Sequence, residues 1–342
     1  MMGHVGLKTP LLALHVTGQD HRHASTSTRQ VGLLMRVTLL STTRLVSNSF
    51  HNAFTTLCHW KGAYWLAFRQ APSHGLVPPG KIVVMTSKAG KAWAIAYEIT
   101  APQADYRDPK LIATTDMLYL MCGAYLPSPH LRHYGIDALT VHSGDAQIWT
   151  FLTSTRDGVT WRPLTPILRP NHWGWSALVL KDMWVLVSYD TGALEARNTI
   201  TLWHGTPHTG FTHSGIIYDG GALEQEQGTY RYTASMPSEP VLYQPTAQTL
   251  ACCLRTESTM KLGAYRRGKP WRWWETGAML HPSAVIQTPH GWLMAARELV
   301  QKRPSKLTLD YKTMQDYVAH VTLWRLDGNR LERVCVLQKD AG

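Results

Sequence analysis

Acidic residues are scarce. The chain of 342 residues has 23 Asp and Glu against 34 Lys and Arg, a formal charge of +11. A field of that sign favours polyanions such as nucleic acid, anionic polysaccharide or anionic lipid. Long Lys/Arg runs are also lacking. The densest basic patch, Arg266-Arg267-Gly268-Lys269, reads as a hairpin tip. No RNA-binding signature and no helix-turn-helix pattern is present, so nucleic acid is not an expected partner. Cysteine is scarce and scattered: five residues, an odd number, with Cys252 and Cys253 adjacent, fit neither a disulfide framework nor a zinc site. Cys122, Cys252 and Cys253 lie in apolar strand-like runs, where free thiols are expected to be buried, which fits a reducing compartment. No apolar run approaches the roughly 18 residues of a membrane helix, so no membrane partner is expected. Residues Pro10 to Val16 are too short an apolar stretch for a signal peptide, and no segment assigns a compartment. His130 and His133 have near-ligand spacing but no obvious third ligand, so neither a metal nor a cofactor is expected. Phe is rare at 5, whereas Trp and Tyr number 14 each, rings whose polar edges suit half-buried strands and sugar-binding surfaces.

What the chain does contain is short strands. Ala63–Phe68, Lys81–Met85, Leu118–Cys122, Met183–Val187 and Thr199–Trp203 are rich in β-branched and aromatic residues and are punctuated by Gly, Pro, Asp and Asn. Long amphipathic helical patterns are lacking, and the fold class is all-β. Residues 1–34 read as a disordered leader, with His21 and His23 in a solvated tail, and 35–342 as one domain.

The strands recur as a unit in which a strand opens on a small or polar residue, turns, and returns to a Tyr or Arg. Openings fall near residues 53, 109, 176, 240 and 284, with steps of 56, 67, 64 and 44. A period of this size built from strand pairs predicts a β-propeller of four-stranded blades. Five complete blades are counted, and Leu34–Leu40 is a spare outer strand suited to an incomplete sixth, so a six-bladed propeller is expected, with a closed five-bladed ring as the alternative. A monomer is expected.

Two hairpin tips carry a recognisable motif. Ser154-Thr155-Arg156-Asp157-Gly158-Val159-Thr160-Trp161 approximates Ser-x-Asp-x-Gly-x-Thr-Trp with the Asp displaced by one, and Ser87-Lys88-Ala89-Gly90-Lys91-Ala92-Trp93 keeps the Ser, Gly and Trp. With His51-Asn52-Ala53-Phe54-Thr55, Ala67-Phe68-Arg69, Asp105 to Leu111, Glu239 to Arg255 and Ala295 to Leu299, the chain resembles bacterial sialidase-like proteins with BNR (Asp-box) repeats. The resemblance implies a sialidase-like propeller with exo-α-sialidase-type chemistry: arginines hold a substrate carboxylate, a Tyr–Glu couple is the nucleophile and an Asp the acid/base. By position, Glu239 resembles the Glu that activates the tyrosine, and Arg255 and Arg297 resemble the second and third arginines. The place of the first arginine holds His51-Asn52-Ala53, the loop after Arg69 offers His74 where the family has its Asp, and the family's last-blade tyrosine finds no counterpart.

A propeller gathers the starts of its first strands, and the loops before them, on one face. The expected site is therefore His51, Arg69, His74, Arg107, Asp108, Glu239, Arg255 and Arg297. Glu239, Asp108 and His51 are the candidate catalytic groups; Arg69, His74, Arg107, Arg255 and Arg297 are the candidate substrate-binding groups. Guanidinium forks suit a carboxylate or sulfate because they donate two parallel charge-assisted hydrogen bonds. The expected function is hydrolysis of an acidic or anionic glycan. Two alternatives stand beside it: a propeller that binds glycan or protein without catalysis, and a polysaccharide lyase using His, Tyr and Arg.

Overall fold

The computed structural model describes residues 10–19, 34–102, 104–126, 147–169, 171–181, 183–190, 197–226, 229–232, 237–256, 258–301 and 317–339. Every regular element among them is a strand. A hairpin of β1 (Pro10–Gln19) and β2 (Leu34–Arg44) comes first, and five blade sheets of β-propeller type follow. The first blade is β3 (His51–Trp60), β4 (Ala63–Ala71), β5 (Lys81–Ser87) and β6 (Ala94–Ile99). The second is β7 (Asp105–Ala113), β8 (Leu118–Leu126), β9 (Gln147–Thr155) and the short β10 (Thr165–Pro166). The third is β11 (His172–Leu180), β12 (Met183–Asp190), β13 (Arg197–Thr206) and β14 (Gly210–Glu226), extended by β15 (Thr229–Tyr232). The fourth is β16 (Ser238–Thr246), β17 (Thr249–Arg255), β18 (Lys261–Arg266) and β19 (Arg272–Glu275), and the fifth is β20 (Leu280–Thr288), β21 (Gly291–Gln301), β22 (Tyr317–Asp327) and β23 (Arg330–Gln338). In each blade the strands follow one another in chain order, and the registers that are defined run antiparallel.

The chain divides into two compact units, one holding residues 46–242 and the other residues 10–45 and 243–342. Within the first unit, strand β8 explains the packing. Its residues are apolar throughout because both of its faces are covered. Leu118, Leu120, Cys122 and Ala124 face a cluster with Trp60, Trp65, Ile82 and Val84 of the first blade. Tyr119 and Met121, one step out of phase, join Leu152, Trp184, Leu186 and Trp203. The strand period of two thus divides one sequence run between two interfaces. Neighbouring first strands are also tied: Thr56 Oγ1 accepts from Leu111 N at 3.3 Å, and Ser176 Oγ accepts from Leu242 N at 3.1 Å. Glycine admits the bulk of one partner: a Cβ on Gly123 would lie 2.3 Å from Trp173 Cζ2.

In the second unit, Leu293, Leu323 and Leu337 of the fifth blade form a core cluster that Val37 of β2 joins. The spare strand at 34–40 was expected to complete a last blade. Instead it pairs with β1 over Pro10↔Arg44 to Gln19↔Leu34 in a separate two-stranded sheet, so β1 supplies the backbone partners that a sixth blade would have offered. Pro10–Gln19 is accordingly a strand within the segment read as a leader, and the rest of residues 1–33, with His21 and His23, lies outside the described residues. Among the described residues there are five blades. The five cysteines are free, and Cys122, Cys252 and Cys253 are buried.

The turn after β9 shows why the residues of the 154–161 motif stand where they do. Asp157 Oδ1 accepts from the backbone N of Val159 at 2.8 Å and of Thr160 at 2.7 Å, and from Thr155 Oγ1 at 2.9 Å. Trp161 stacks on Tyr97 at 4.6 Å with planes 6° apart. The turn-forming oxygens come from Thr155 and Asp157. These hydrogen bonds hold the Asp157 carboxyl well below the usual carboxylate range. Because the folded value is depressed, the turn's contribution is complete above the unfolded value near 4 and is lost as pH falls below it. Replacing Asp157 by Ala is expected to lower the melting temperature at pH 7 and to leave a smaller difference from the parent protein at pH 2.5; equal losses at both pH values would show that the carboxylate charge does not hold the turn.

Candidate functional site

The first strands of the blades share an irregularity that the sequence does not display. In β3 the register slips between Ala53 and Thr56, in β7 between Arg107 and Lys110, in β11 between Gly174 and Ser176, and in β20 between Pro282 and Ala284. Each slip is a bulge at the same place in its blade. Phe54 and Asp108 adopt left-handed backbone there, with φ of 57° and 49°, and Glu239, the second residue of β16, has the same conformation, with φ of 52°. Non-glycine residues avoid this region, and holding one there costs on the order of 1 kcal/mol. Asp108 and Glu239 are each followed by proline, Pro109 and Pro240, whose missing N–H needs no ladder partner and suits a bulge. A bulge re-aims the side chain it carries, so Asp108 is turned out of the regular alternation of β7, and Glu239 near the start of β16 shares its left-handed backbone.

The two carboxylates sense each other. Asp108 is buried, which pushes its acid up to about 6; the charge of Glu239 pushes the same way, while Lys110, Arg107 and Arg69 oppose it. Lys110 is pulled down by burial and held up by Asp108 and Glu239. Its ammonium sits 3.9 Å from the centre of the Trp175 ring. Trp175, on the bulge of β11, leans on Tyr189, and Tyr189 stacks on Trp173. One cation, two carboxylates and an aromatic wall thus come together within residues 46–242.

Beside them is a buried ion triad. Asp105 Oδ1 accepts from Arg69 Nε at 3.1 Å, from Arg69 Nη2 at 2.7 Å and from the backbone N of Gly80, while Oδ2 accepts from Arg107 Nε. Arg69 is 0% exposed, and its remaining donors go to the carbonyls of Ser73 at 2.9 Å and Gly75 at 2.7 Å. Arg107 Nη2 donates to the carbonyl of His74 at 2.7 Å, and its guanidinium lies over the rings of Phe54 and Tyr125 at 5.9 and 5.5 Å. The triad therefore anchors the 72–80 connection. Gly80 is required there, because a Cβ would lie 2.5 Å from Arg69 Nε. The anchored connection presents His74 edge-on to His51 at 5.2 Å and to Phe54 at 5.4 Å. Desolvation, then the charge of Arg107, pushes the His74 ring down to about 4, so it is neutral at physiological pH.

The other expected arginines belong to the second unit. Arg297 donates from Nε at 3.2 Å, with Nη2 at 2.5 Å, to His281 Nδ1. Burial, then Arg255 and Arg297, drive His281 far below its ordinary value, so the ring stays neutral and accepts. The structure thus groups the expected residues in two sets. His51, Arg69, His74, Arg107, Asp108 and Glu239 belong to the first unit, and Arg255 and Arg297 meet at His281 in the second. Arg69 was expected to bind substrate; with every part of it enclosed, it holds a loop. Sequence reasoning missed Asp105, Lys110, Trp175 and Phe54. A signal for Asp105 was available, since it stands two residues before Arg107 on one strand and so shares a face with it. His130 and His133 lie outside the described residues, and among those described no group of three His, Cys, Asp or Glu could hold a metal ion.

No family model matches the chain, and no curated protein matches it in sequence. Solved structures do. A GH32 β-fructofuranosidase of Bombyx mori superposes with a TM-score of 0.52 at 12% identity, covering 82% of this chain and 62% of that one. The Trypanosoma rangeli sialidase in complex with sialic acid gives 0.54 at 13% identity, with 96% and 54% covered. The same sialidase in complex with the inhibitor DANA gives 0.55 at 13%, with 94% and 53% covered. The chain thus spans about three-fifths of the length of the first and about half of the sialidase. At such identities the likeness is one of fold, and that fold is the β-propeller of sialidase and GH32 glycosidase structures.

Proposed function

We propose that the chain is a glycoside hydrolase acting on an acidic or otherwise anionic glycan, with Asp108 as proton donor and Glu239 as the partner carboxylate. The observation that carries this reading is the pair itself: two carboxylates, each with left-handed backbone near the start of its blade's first strand, with the charge of Glu239 bearing on Asp108. Glycosidic cleavage needs one carboxylic acid to protonate the leaving oxygen and one carboxylate to serve as base or nucleophile. An acid near 6 remains substantially protonated close to neutral pH, which suits Asp108 to donation. Lys110 favours the anionic form of whichever partner has lost its proton. His51, paired edge-on with neutral His74, supplies a further proton-exchanging ring beside Phe54 and Arg107. The anionic character of the substrate is supported by the +11 charge. Arg69 takes the role of loop anchor here.

Purified protein assayed on neutral and anionic aryl glycosides and polysaccharides is expected to release product from an anionic member. Asp108→Asn and Glu239→Gln are each expected to cut kcat by about 10²–10⁴-fold with the fold retained. Unchanged turnover in both variants would remove them as the catalytic pair, and turnover confined to neutral sugars would overturn the anionic substrate while leaving hydrolysis in place. A second reading, a propeller that binds glycan without cleaving it, is favoured by Phe54: the left-handed bulge position of the first blade carries an apolar ring where the second blade has Asp108. Glycan binding with no product released from any sugar tested would support that reading over hydrolysis.

A further inference from the structure

The β18–β19 hairpin carries charge that no fold requirement explains. Arg266, Arg267, Lys269 and Arg272 are all exposed, and no carboxylate occurs between residues 261 and 274. The nearest one, Glu275, is occupied by Lys261 and Thr259 Oγ1. Ala264 pairs with Arg272, which places Arg266, two residues on from Ala264, on the same face as Arg272 and diagonal to it. Like charges in that relation are destabilising. The tip is nevertheless rigidly built. Lys269 N donates to Arg266 O at 2.9 Å, and Gly268 takes the left-handed conformation, φ 75°, that closes the turn. On the opposite face Tyr265, Trp271 and Trp273 form a ladder with centroids 5.9 and 5.5 Å apart and planes 29° and 19° apart. Trp273 closes that ladder over Gly263, where a Cβ would lie 2.5 Å from its Cζ3.

We infer that this hairpin tip is a docking site for an anionic polysaccharide. Four cations held on a preformed turn, without local acids, match a chain of sulfates or carboxylates, and guanidinium groups engage such oxyanions with paired hydrogen bonds. The aromatic ladder favours a glycan over single-stranded nucleic acid. Base recognition needs ring faces open for stacking, and these rings are stacked on one another and on Gly263. The site needs no catalysis, so it stands whether or not the chain cleaves its glycan.

Heparin, a sulfated polysaccharide, is the probe. The full chain is expected to bind immobilised heparin and to elute with rising salt. The variant Arg266→Ser, Arg267→Ser, Lys269→Ser, Arg272→Ser is expected to bind about tenfold or more weakly at 0.1 M salt, with its melting temperature retained. The control variant Lys88→Ser, Lys91→Ser, Arg156→Ser, Arg330→Ser removes the same charge from other exposed positions and is expected to bind nearly as the parent does. Equal weakening in both variants would reduce the effect to net charge and overturn the site. So would tighter binding of a single-stranded oligonucleotide than of heparin with the same dependence on the four residues.

Discussion

Replacing Asp105 by alanine is expected to destabilise the protein by about 3–5 kcal/mol, the cost of removing one partner from a buried ion pair. The estimate rests on what is left behind. Asp105 is 2% exposed and, among the described residues, is the only carboxylate hydrogen-bonded to Arg69, whose guanidinium is fully enclosed. Without it, Arg69 and Arg107 face each other as like charges in a desolvated space, and Gly80 N loses its acceptor. Neither guanidinium can shed its charge. The damage extends beyond stability, because the same two arginines hold the Ser73, His74 and Gly75 carbonyls. The 72–80 connection should therefore become protease-sensitive in Asp105→Ala. Urea unfolding measures the first effect and limited proteolysis the second. A loss below about 1 kcal/mol, the range of exposed pairs, would mean that water reaches the triad and that the enclosure of Arg69 is incidental.

Acid should destabilise the fold well before ordinary carboxylates titrate. His172 is 2% exposed; burial first, then Arg169 and His213, push it down to about 4. Arg169 Nε donates to its Nε2 at 2.8 Å, so the ring is held as an acceptor. His281 is lowered further, by burial and then by Arg255 and Arg297. In the unfolded chain both rings take up a proton near 6.5. Their contribution is thus complete above 6.5 and declines as pH falls from there toward 4, by roughly 3 kcal/mol each on reaching pH 4. Asp108 works in the opposite direction. Its folded value is raised to about 6, so the folded state takes up a proton before the unfolded chain does, and this returns roughly 2 kcal/mol over the same range. Two buried histidines against one carboxyl leave a net loss of about 4 kcal/mol; His74, itself exposed, is screened by solvent and adds little. Urea midpoints between pH 7.5 and 4.5 test the sum. His172→Gln should flatten the slope and Asp108→Asn should steepen it. A flat parent profile together with an unchanged slope in His172→Gln would show that the folded state protonates that ring freely.

Most of the blades were legible because a strand's pattern is local. Runs such as Leu118–Cys122 and Met183–Val187 became β8 and β12, and the five openings became β3, β7, β11, β16 and β20. The fate of Leu34–Leu40 was not legible. A strand sequence states that edges must be paired but not by which partner, and the partner here is β1. The candidate residues split in the same way. Asp108 stood out as a carboxylate at a strand opening and Glu239 by its place in the family pattern. Whether an arginine meets ligand or backbone depends on what encloses it, and nothing in the neighbourhood of Arg69 in sequence marks it as a clamp on Asp105, 36 residues away.

By itself, then, the sequence determined that this protein is all-β, built of recurring four-stranded blades, basic, and provided with two proline-flanked carboxylates at equivalent positions. Propensity, alternation and turn chemistry act within a few residues, and that is the range over which those features are written. The tertiary structure alone decided the rest. It set Phe54, Asp108 and Glu239 in left-handed backbone, brought Lys110 and Trp175 to the carboxylates, and spent Arg69 and much of Arg107 on Asp105. Desolvation and charge pairing depend on distances between residues far apart in the chain, and those distances exist only once the blades have packed.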